Sequence, residues 1–367
     1  MTKPIRVLHL VGAMYPGGME NFIMNLYEKI DRTEFWFDFV VHQQKENDYR
    51  EQIEEWGGRV YEIPRLTKRP FASLRMLYQI IKKNQYDIVI RHTANALITP
   101  QLFVAKLAGA KTICHSHSET DPKMFLHRLG RLLMGRAADQ KLACSYRAGK
   151  WMYGNQKFQV IHNAINVDRF IYDETRAERI REEFGLQDSH VYGHIGNFTT
   201  PKNHMFLLAV YHEIGRLDPK AVFFCLGEGE LRSEIEAEIR RLGMEKKVIL
   251  TGMRPDAESF MSCFDLLLFP SLFEGLPLTL IEAQAAGLKA LISDRITENV
   301  VITENLITRK SLDEKPAEWA KKAVELAAEG KRDRGCQREA IEKAGYDMNS
   351  LAKWYEAYFH SLVNVGK

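Results

Sequence analysis

"FDLLLFPSLFEGLPLTLIEAQAAGLKALISD" (residues 264–294) contains the alternation that decides the fold. It begins with a short apolar run, passes through a loop with Gly and Pro into a helix-forming stretch, and ends in a second apolar run. Apolar strands separated by helices are typical of a parallel sheet that is covered by helices on both faces. The segment therefore predicts a strand, a helix and a parallel strand of an α/β protein.

Comparable apolar runs lie on both sides of this segment. In the second half they occupy 190–197, 221–229 and 247–253, and the first half repeats the alternation from "IRVLHLV" (5–11) to "KTICHSHS" (111–118). The sequence therefore predicts an α/β protein made of two Rossmann-like, doubly wound domains that face a central cleft. In such sheets ligands bind outside the carboxyl ends of the strands.

The boundary between the two domains is predicted near "HNAINVDRF" (162–170), after which an acidic, polar helix begins. We expect an N-terminal domain over 1–165, a C-terminal domain over 166–345, and a C-terminal helix over 346–367 that packs back on the first domain. The length of 367 residues agrees with two domains at roughly 100–200 residues each.

Composition excludes several classes of protein. The content of 45% hydrophobic and 27% charged residues is ordinary for a globular chain, and no apolar run approaches the roughly 18 residues of a membrane-spanning helix. The five cysteines are widely spaced, and none of their spacings is typical of a zinc site. We expect a cytoplasmic protein that binds no metal and no nucleic acid.

The charge is unevenly distributed along the chain. Residues 1–165 carry 24 Lys and Arg against 15 Asp and Glu, although the whole chain has a net charge of only +3. This balance favours an anionic partner for the first half. The segment "PKMFLHRLGRLLMGR" (122–136) has leucines on one side and arginines between them, so it could lie at an anionic membrane surface. A core helix with a solvated basic face explains the pattern equally well.

Two motifs of the first half follow predicted strands. Gly17 and Gly18 stand between a strand and a helix, where backbone can approach an anion closely, although a plain turn would look the same. His115 and His117 point to the same face at a strand end. They are either ordinary satisfied histidines or polar groups of the cleft. A metal site is disfavoured because we expect no carboxylate or further His close by.

The loop "GNFTTPKNH" (196–204) holds Lys202 close to a helix start. A lysine in this position suits phosphate as a point charge, whereas a solvated lysine is the simpler explanation for any single residue. A third loop, "LGEGELR" (226–232), has two glycines but predicts no more than a turn by itself.

Two carboxylates flank the start of the helix in the opening segment. Glu274 is predicted in the loop and Glu282 in the second helical turn, and the amides of Gly275, Leu276 and Leu278 lie between them. Helix-start amides bind anions, and carboxylates accept hydrogen bonds from vicinal hydroxyls. This combination fits a sugar nucleotide. A surface or capping role for Glu282 is the alternative, but an acid within so apolar a helix is costly unless it is used.

With these motifs together, the sequence resembles the family-4 retaining glycosyltransferases, which have the GT-B fold. The Glu-x7-Glu spacing within "PSLFEGLPLTLIEAQAAG" (270–287) is the most specific mark, and "GGMEN", "HNAINVDRF", "GNFTTPKNH" and "LGEGELR" extend the resemblance over nearly the whole chain. The most similar members that we recognise are bacterial enzymes of exopolysaccharide and capsule assembly. The resemblance implies an acceptor domain followed by a nucleotide-sugar donor domain.

The resemblance also implies roles for matching residues of the donor site. Glu274 would contact hydroxyls of the donor sugar, Glu282 would bind the ribose, and Lys202 would neutralise the departing diphosphate. Backbone amides would hold the diphosphate and the sugar at Gly275, at Leu276 and around Gly18.

Three further expectations come from the same resemblance. Arg254 would lie near the base, and His117, with His115 as second choice, would be the histidine on the acceptor side. Many relatives have Gly-Arg where this chain has Gly196-Asn197. Because Asn cannot supply that positive charge, leaving-group stabilisation here must depend on Lys202, another cation or a helix dipole.

The function expected from these features is the transfer of a hexose or hexosamine, with retention of configuration, from a nucleotide diphosphate to a glycan or lipid-linked acceptor. Uridine diphosphate is the favoured nucleotide, and no cofactor or metal is expected. Two alternatives stay open. A sugar-nucleotide epimerase has the same architecture, and the Asn197 departure would also suit a non-catalytic sugar-nucleotide-binding protein.

Overall fold

A computed structural model describes residues 3–15, 17–43, 48–118, 124–330 and 334–364. The chain forms two compact units. The first comprises Met1–Ala164 and Met348–Lys367, and the second comprises Ile165–Asp347. Each unit is an α/β domain built on a parallel sheet, which confirms the predicted fold class.

Within the described residues, the first unit has a seven-stranded sheet whose order is β3-β2-β1-β4-β5-β6-β7. Its strands are β1 (Ile5–Leu10), β2 (Phe35–Val41), β3 (Val60–Glu62), β4 (Ile88–Thr93), β5 (Lys111–Ser116), β6 (Gln140–Ala143) and β7 (Gln159–Val160). The helices before the second unit are α1 (Gly18–Lys29), α2 (Arg50–Glu55), α3 (Pro70–Asn84), α4 (Thr99–Leu107), α5 (Met124–Ala137) and α6 (Tyr146–Tyr153).

The described part of the second unit has a six-stranded sheet with the order β10-β9-β8-β11-β12-β13. Its strands are β8 (His190–Ile195), β9 (Ala221–Leu226), β10 (Val248–Gly252), β11 (Leu266–Phe269), β12 (Ala290–Ser293) and β13 (Ile307–Lys310). Its helices are α7 (Val167–Phe170), α8 (Glu174–Phe184), α9 (His204–Leu217), α10 (Arg232–Arg241), α11 (Ala257–Cys263), α12 (Leu278–Ala285), α13 (Pro316–Gly330) and α14 (Arg338–Lys343).

The strand order reverses once in each sheet, and both reversals lie between central strands. In the first sheet β1 pairs in parallel with both β2 and β4. In the second sheet β8 pairs in parallel with both β9 and β11. At such a point the connections leave toward opposite faces of the sheet, so a crevice opens at the carboxyl ends of the two strands. These two reversals are therefore the natural ligand positions of the fold.

The C-terminal helix α15 (Met348–Asn364) belongs to the first unit although it follows the second along the chain. Its side chains Met348, Tyr355 and Phe359 are buried in the cluster that also contains Phe22 and Phe35. Burying an aromatic side chain of this size stabilises a fold by about 1.5–3 kcal/mol. This packing fixes the chain end on the first unit.

The amphipathic segment 122–136 is described only in part. Residues 122 and 123 and the side chains of Leu126 and Leu129 lie outside the described residues. Met134 of α5 is buried, whereas Leu132 is 78% exposed. Among the described residues, no helix is both long enough and apolar enough to cross a bilayer.

Candidate functional site

Two loops of the second unit are joined at the strand-order reversal. The loop after β8 ends at Asn203, which has a left-handed backbone (φ 57°) and whose side-chain amide donates to the carbonyl of Pro270 at 3.1 Å. The N–H of Leu272 donates to the carbonyl of Pro201 at 2.8 Å. Asn is one of the few residues that adopt this backbone conformation at low cost. The two hydrogen bonds hold the loop after β8 against the loop after β11.

This junction brings Lys202 and Glu274 together. The Nζ of Lys202 donates to Oε1 of Glu274 at 2.6 Å, and the two side chains are only 18% and 14% exposed. The ammonium also lies 4.8 Å from the ring centroid of Phe269, the last residue of β11. A lysine held in this way offers a fixed positive charge beside a carboxylate that accepts hydrogen bonds. Both groups are suited to a phosphorylated, hydroxyl-rich ligand.

Glycines allow the neighbouring loops to pack tightly against this pair. A Cβ on Gly196 would lie 3.1 Å from Cε of Lys202, so this position leaves little room for a side chain. In the third loop, Gly227 has φ +147°, and a Cβ there would lie 2.1 Å from the carbonyl oxygen of Gly196. The loop that by sequence predicted only a turn therefore supports the lysine loop. Asn197 itself is exposed.

The start of α12 is open. Among the described residues, no acceptor is within hydrogen-bonding distance of the N–H groups of Gly275 and Leu276. A Cβ on Gly275 would meet nothing within 4 Å, and Leu278 is the first residue of the helix, which has no side-chain cap. Uncapped amides at a helix start carry a partial positive charge and bind anions. Protein packing does not require the glycine, so the space beside Glu274 is available to a ligand.

Glu282 is partly buried in α12, and its surroundings raise the pKa of its carboxyl. Desolvation raises the pKa of its carboxyl to about 7, the nearby charge of Arg169 lowers it, and the charge of Glu258 raises it. Arg169 forms an ion pair with Glu258 at 2.9 Å. A carboxyl with this pKa can exchange a proton at neutral pH when a hydroxyl-bearing ligand binds.

Arg254 is engaged with carboxylates rather than exposed for a base. Its Nε and Nη2 donate to Asp256 at 2.8 and 2.9 Å, and Nη1 lies 3.3 Å from Glu183. The adjacent carbonyl of Pro255 accepts a hydrogen bond from Arg169. The segment that contains Arg254 is thus linked through Arg169 to the surroundings of Glu282.

Arg169 and Glu258 are residues that sequence reasoning missed. Arg169 lies in the linker "HNAINVDRF", and Glu258 is the single charged residue of the short, mostly buried helix α11. Neither has a local pattern that predicts a role. An acid or base close to Glu282 in space could be found only from the packing of α7 and α11 beside α12.

In the first unit, Gly17 and Gly18 form the start of α1. Gly17 is the N-cap residue with an extended backbone and no side-chain cap, and a Cβ there would lie 2.8 Å from a carboxylate oxygen of Glu20. A Cβ on Gly18 would meet nothing within 4 Å. One turn further along α1, the ring of Phe22 packs 5.9 Å from that of His117. The glycine loop and the histidine therefore belong to the same part of the unit.

His117 is the end of a chain of imidazoles. Its Nε2 lies 3.0 Å from Nδ1 of His92, and Nε2 of His92 lies 3.0 Å from Nδ1 of His9. The ring of His115 packs 4.0 Å from that of His117, but neither of its nitrogens has a hydrogen-bond partner among the described residues. In neutral imidazoles each shared proton has one donor and one acceptor, so the tautomers of the three linked rings are coupled.

The expectation that no further His lies close to His115 and His117 was wrong. His92 comes from β4 and His9 from β1, and these strands lie next to β5 and to each other in the sheet. His92, His115 and His117 offer ring nitrogens within 4.8 Å of one another. Among the described residues, these three could together hold a metal ion. Burial lowers the pKa of His117 to about 3, which keeps its ring neutral.

Comparison with known proteins agrees with these two units. A profile described as "Glycosyltransferase Family 4" matches residues 16–169, and a profile described as "Glycosyl transferases group 1" matches residues 189–329. The first profile contains the strands of the first sheet except β1, and the second contains β8 to β13 of the second sheet.

Two curated relatives match over most of their length. EpsF of Bacillus subtilis (strain 168), a glycosyltransferase by name, is 32% identical over an alignment of 360 residues that covers 93% of each chain. The UDP-Gal:alpha-D-GlcNAc-diphosphoundecaprenol alpha-1,3-galactosyltransferase of Escherichia coli is 24% identical over an alignment of 320 residues that covers 81% of each chain.

A solved structure has the same fold. The crystal structure of HepE from Anabaena in complex with UDP superposes with a TM-score of 0.79 and covers 97% of this chain and 100% of that one. The two sequences are 18% identical, so the likeness establishes the architecture alone.

Proposed function

We propose that this chain, which belongs to the glycosyltransferases that join a family 4 domain to a group 1 domain, transfers a hexose or hexosamine from a UDP-sugar to a glycan or lipid-linked acceptor in polysaccharide assembly, with retention of anomeric configuration. The observation that carries this proposal is the Lys202–Glu274 pair, held by two loops at the strand-order reversal of the second sheet. The uncapped start of α12 lies directly after Glu274.

The donor is proposed from the chemistry of this pair and from two similar proteins. Lys202 and the amides of Gly275 and Leu276 would bind the diphosphate, Glu274 the sugar hydroxyls and Glu282 the ribose. The name of the Escherichia coli relative specifies UDP-Gal, and HepE was crystallised with UDP. Arg254 and the linked Arg169 would lie on the nucleoside side of the ligand.

The reaction would proceed by departure of the diphosphate and attack on the same face of the sugar. The bond between the anomeric carbon and the β-phosphate oxygen breaks, and its electron pair leaves with UDP. The acceptor hydroxyl forms the new bond to the anomeric carbon and gives its proton to the departing phosphate. Lys202 would stabilise the charge that develops on this phosphate, and the neutral ring of His117 would orient the acceptor hydroxyl.

We also propose that the protein is cytoplasmic and that its first unit contacts the inner face of the membrane. Exposed apolar side chains occur on the adjacent helices α4 and α5, where Leu107 is 76% and Leu132 is 78% exposed beside the exposed basic Arg128 and Arg136. The name of the Escherichia coli relative specifies an acceptor on diphosphoundecaprenol. Sedimentation with liposomes should retain the chain only when anionic lipid is present, and equal recovery in the supernatant would contradict this.

We also propose that catalysis needs no metal. The ligand chemistry assigned above uses a lysine, helix-start amides and carboxylates as hydrogen-bond acceptors, none of which requires a divalent cation. Activity after extensive dialysis against a chelator should equal the activity before it, and adding Mg²⁺ or Mn²⁺ back should change nothing. Loss of activity that returns with one added metal would contradict the proposal and would direct attention to His92, His115 and His117.

A thermal-shift screen against UDP, GDP and ADP sugars tests the proposal most directly. A ligand that binds only the folded state raises the unfolding midpoint, so UDP-sugars should do so and the others should not. The selected donor is then incubated with short polyprenyl-diphosphate sugars, and the anomeric configuration of the product is determined. Interconversion of the donor sugar without transfer would favour an epimerase, and binding without turnover would favour a non-catalytic protein.

A further inference from the structure

A cavity of about 330 Å³ lies at the strand-order reversal of the first sheet. Its walls come from the residues after β1, β2 and β3 and from the end of β4, including Gly12, His42, Arg65 and Arg91. This is the position in the first unit that corresponds to the Lys202–Glu274 pair in the second. Volumes of about 300–1,000 Å³ are typical of small-molecule sites.

Arg91 is a buried cation without a carboxylate. It is 7% exposed, its Nη1 donates to the carbonyl of Leu10 at 2.8 Å, and its Nε has no partner. Within the described part of the chain, no Asp or Glu forms an ion pair with it, and none lines the cavity. An arginine side chain keeps its proton in proteins, so the guanidinium of Arg91 carries a positive charge. An unpaired buried charge destabilises a fold, and a bound anion would offset this cost.

A second arginine faces the same space. Arg65 donates a hydrogen bond to the side-chain oxygen of Gln43 and, among the described residues, has no carboxylate partner. Between the two arginines, His42 is held neutral because burial and the charge of Arg91 lower its pKa to about 4. The cavity therefore carries two guanidinium groups, and none of the described residues that line it supplies a negative charge.

The far wall of the cavity connects with the exposed apolar face of the unit. Leu97 and Ile98 line it, and the N–H of the preceding Ala96 donates to Nδ1 of His127 on α5 at 3.1 Å. The same helix exposes Leu132. An anion in the cavity would thus sit beside a surface that suits an attached hydrocarbon chain.

We propose that this cavity binds the phosphate or diphosphate group of the acceptor, with Arg91 and Arg65 as its ligands. A guanidinium group can donate two parallel hydrogen bonds to two oxygens of one phosphate. This arrangement orients the phosphate and also neutralises part of its charge. The inference rests on the proposed transferase function for the identity of the ligand as acceptor, but the anion site itself does not depend on it. The proposal places the anionic partner, which the basic composition of the first half predicts, in this cavity.

The test compares Arg91→Met, Arg65→Met and the control Arg75→Met, which removes an exposed arginine of α3, each in a Lys202→Met background so that the donor-side lysine does not contribute. Inorganic pyrophosphate and farnesyl diphosphate should raise the unfolding midpoint of the background protein and of the Arg75 variant. The rise should be lost in both cavity variants. Farnesol, which lacks the phosphates, should cause no rise. A rise that persists without Arg91 and Arg65, or one that farnesol reproduces, would overturn the proposal.

Stability of the ligand-free protein separates a binding role from a structural one. Replacement of an unpaired buried charge by Met should leave the midpoint unchanged or raise it, whereas a structural arginine would lower it. Arg65 is exposed, so its variant remains informative even if Arg91→Met does not fold. A larger shift with farnesyl diphosphate than with pyrophosphate assigns the group to a lipid-linked acceptor. Equal shifts assign it to a phosphate carried by a soluble acceptor.

Activity distinguishes this proposal from the proposed function. In the wild-type background, Arg65→Met should raise the KM for a diphosphate acceptor at least tenfold and leave the KM for the UDP-sugar unchanged. If the chain transfers no sugar but the diphosphate shift still depends on Arg91, the transferase proposal fails and the anion site stands. If transfer occurs and the acceptor KM of the Arg65 and Arg91 variants equals that of the wild type, the proposed anion site is wrong and the transferase proposal is unaffected.

Discussion

In the second unit, the reversal between β8 and β11 is occupied by a closed ion pair, Lys202 with Glu274. In the first unit, the corresponding reversal between β1 and β4 holds Arg91, which has no carboxylate partner among the described residues. A paired cation is kept in place without a ligand. An unpaired buried cation raises the free energy of the ligand-free protein until an anion binds. The same fold element thus holds a paired cation in the second unit and, among the described residues, a cation without a carboxylate partner in the first.

The polar groups beside each reversal differ as well. In the second unit, Glu282 lies close to Arg169 and Glu258 and has a pKa of about 7, so it can change charge when a ligand binds. In the first unit, burial lowers the pKa of His92, His115 and His117 so far that these rings stay neutral. The reversal of the second unit therefore has charged groups beside it, whereas the first unit combines neutral hydrogen-bonding rings with a separate cation. In both units the fold places polar groups at the strand-order reversal, and the identity of the side chains there determines which of these groups are charged.

The largest effect is expected from Lys202→Met. Removal of a fixed group that stabilises transition-state charge lowers kcat by about 10²–10³-fold, and here the change also leaves Glu274 without its partner. Steady-state kinetics with the best UDP-sugar measure the effect. Lys246→Met, which alters an exposed lysine of the same unit, should retain wild-type activity. A loss below tenfold would show that the ion pair is not the charge-stabilising element of the second unit.

His117→Ala should come next, with a loss of roughly 10²-fold in transfer. Because the residue lies in the first unit and the donor is assigned to the second, the Kd for UDP should stay the same. His92→Leu, which removes the hydrogen bond that orients His117, should give a smaller loss that also spares UDP binding. The control His212→Ala changes a histidine of the second unit. Weaker UDP binding in the His117 variant would contradict the proposal that the donor binds to the second unit without His117.

Glu282→Gln should change binding and stability in opposite directions. Loss of charged acceptors for the ribose hydroxyls should weaken UDP binding by about 10–100-fold, since hydrogen bonds to charged groups contribute about 1.5–3 kcal/mol. Glu245→Gln, an exposed change, is the matched control.

The pH dependence follows from the raised pKa of Glu282. The folded state holds the proton more tightly than the unfolded state, so its stabilising contribution is complete below the unfolded pKa and is lost as pH rises toward 7. Urea unfolding should therefore show the Gln variant equal to wild type near pH 4 and more stable at pH 8, by at most about 3 kcal/mol. Identical pH profiles for the two proteins would contradict a raised pKa at the partly buried carboxyl of Glu282.

The smallest effect is expected from Asn197→Arg, which adds a cation to the exposed loop beside Lys202. Exposed charges interact weakly, so UDP affinity should improve only about two- to fivefold. Asn155→Arg adds the same charge to an exposed position of the first unit and should leave UDP affinity unchanged. Equal affinities in the Asn197 variant and wild type would argue that the diphosphate does not bind next to this loop.

The sequence by itself determined the two parallel α/β halves and the loops most worth attention. Apolar runs such as 5–11 and 264–271 are long enough for strands buried on both faces. Because function in such sheets gathers at the carboxyl ends, residues that follow them, Gly18, Lys202 and Glu274, could be selected without a structure. Their roles in binding stay predictions until the experiments above are done.

Tertiary structure alone decided which of these groups meet and in what charge state. His9 and His92 join His117 only because β1, β4 and β5 are neighbours, and strand order cannot be read from the alternation of apolar runs. The lack of a carboxylate partner for Arg91 among the described residues and the raised pKa of Glu282 depend on everything packed around them, which lies up to 113 residues away along the chain. Local patterns arise from contacts between near neighbours, whereas ionisation and pairing arise from burial, and burial is a property of the whole fold.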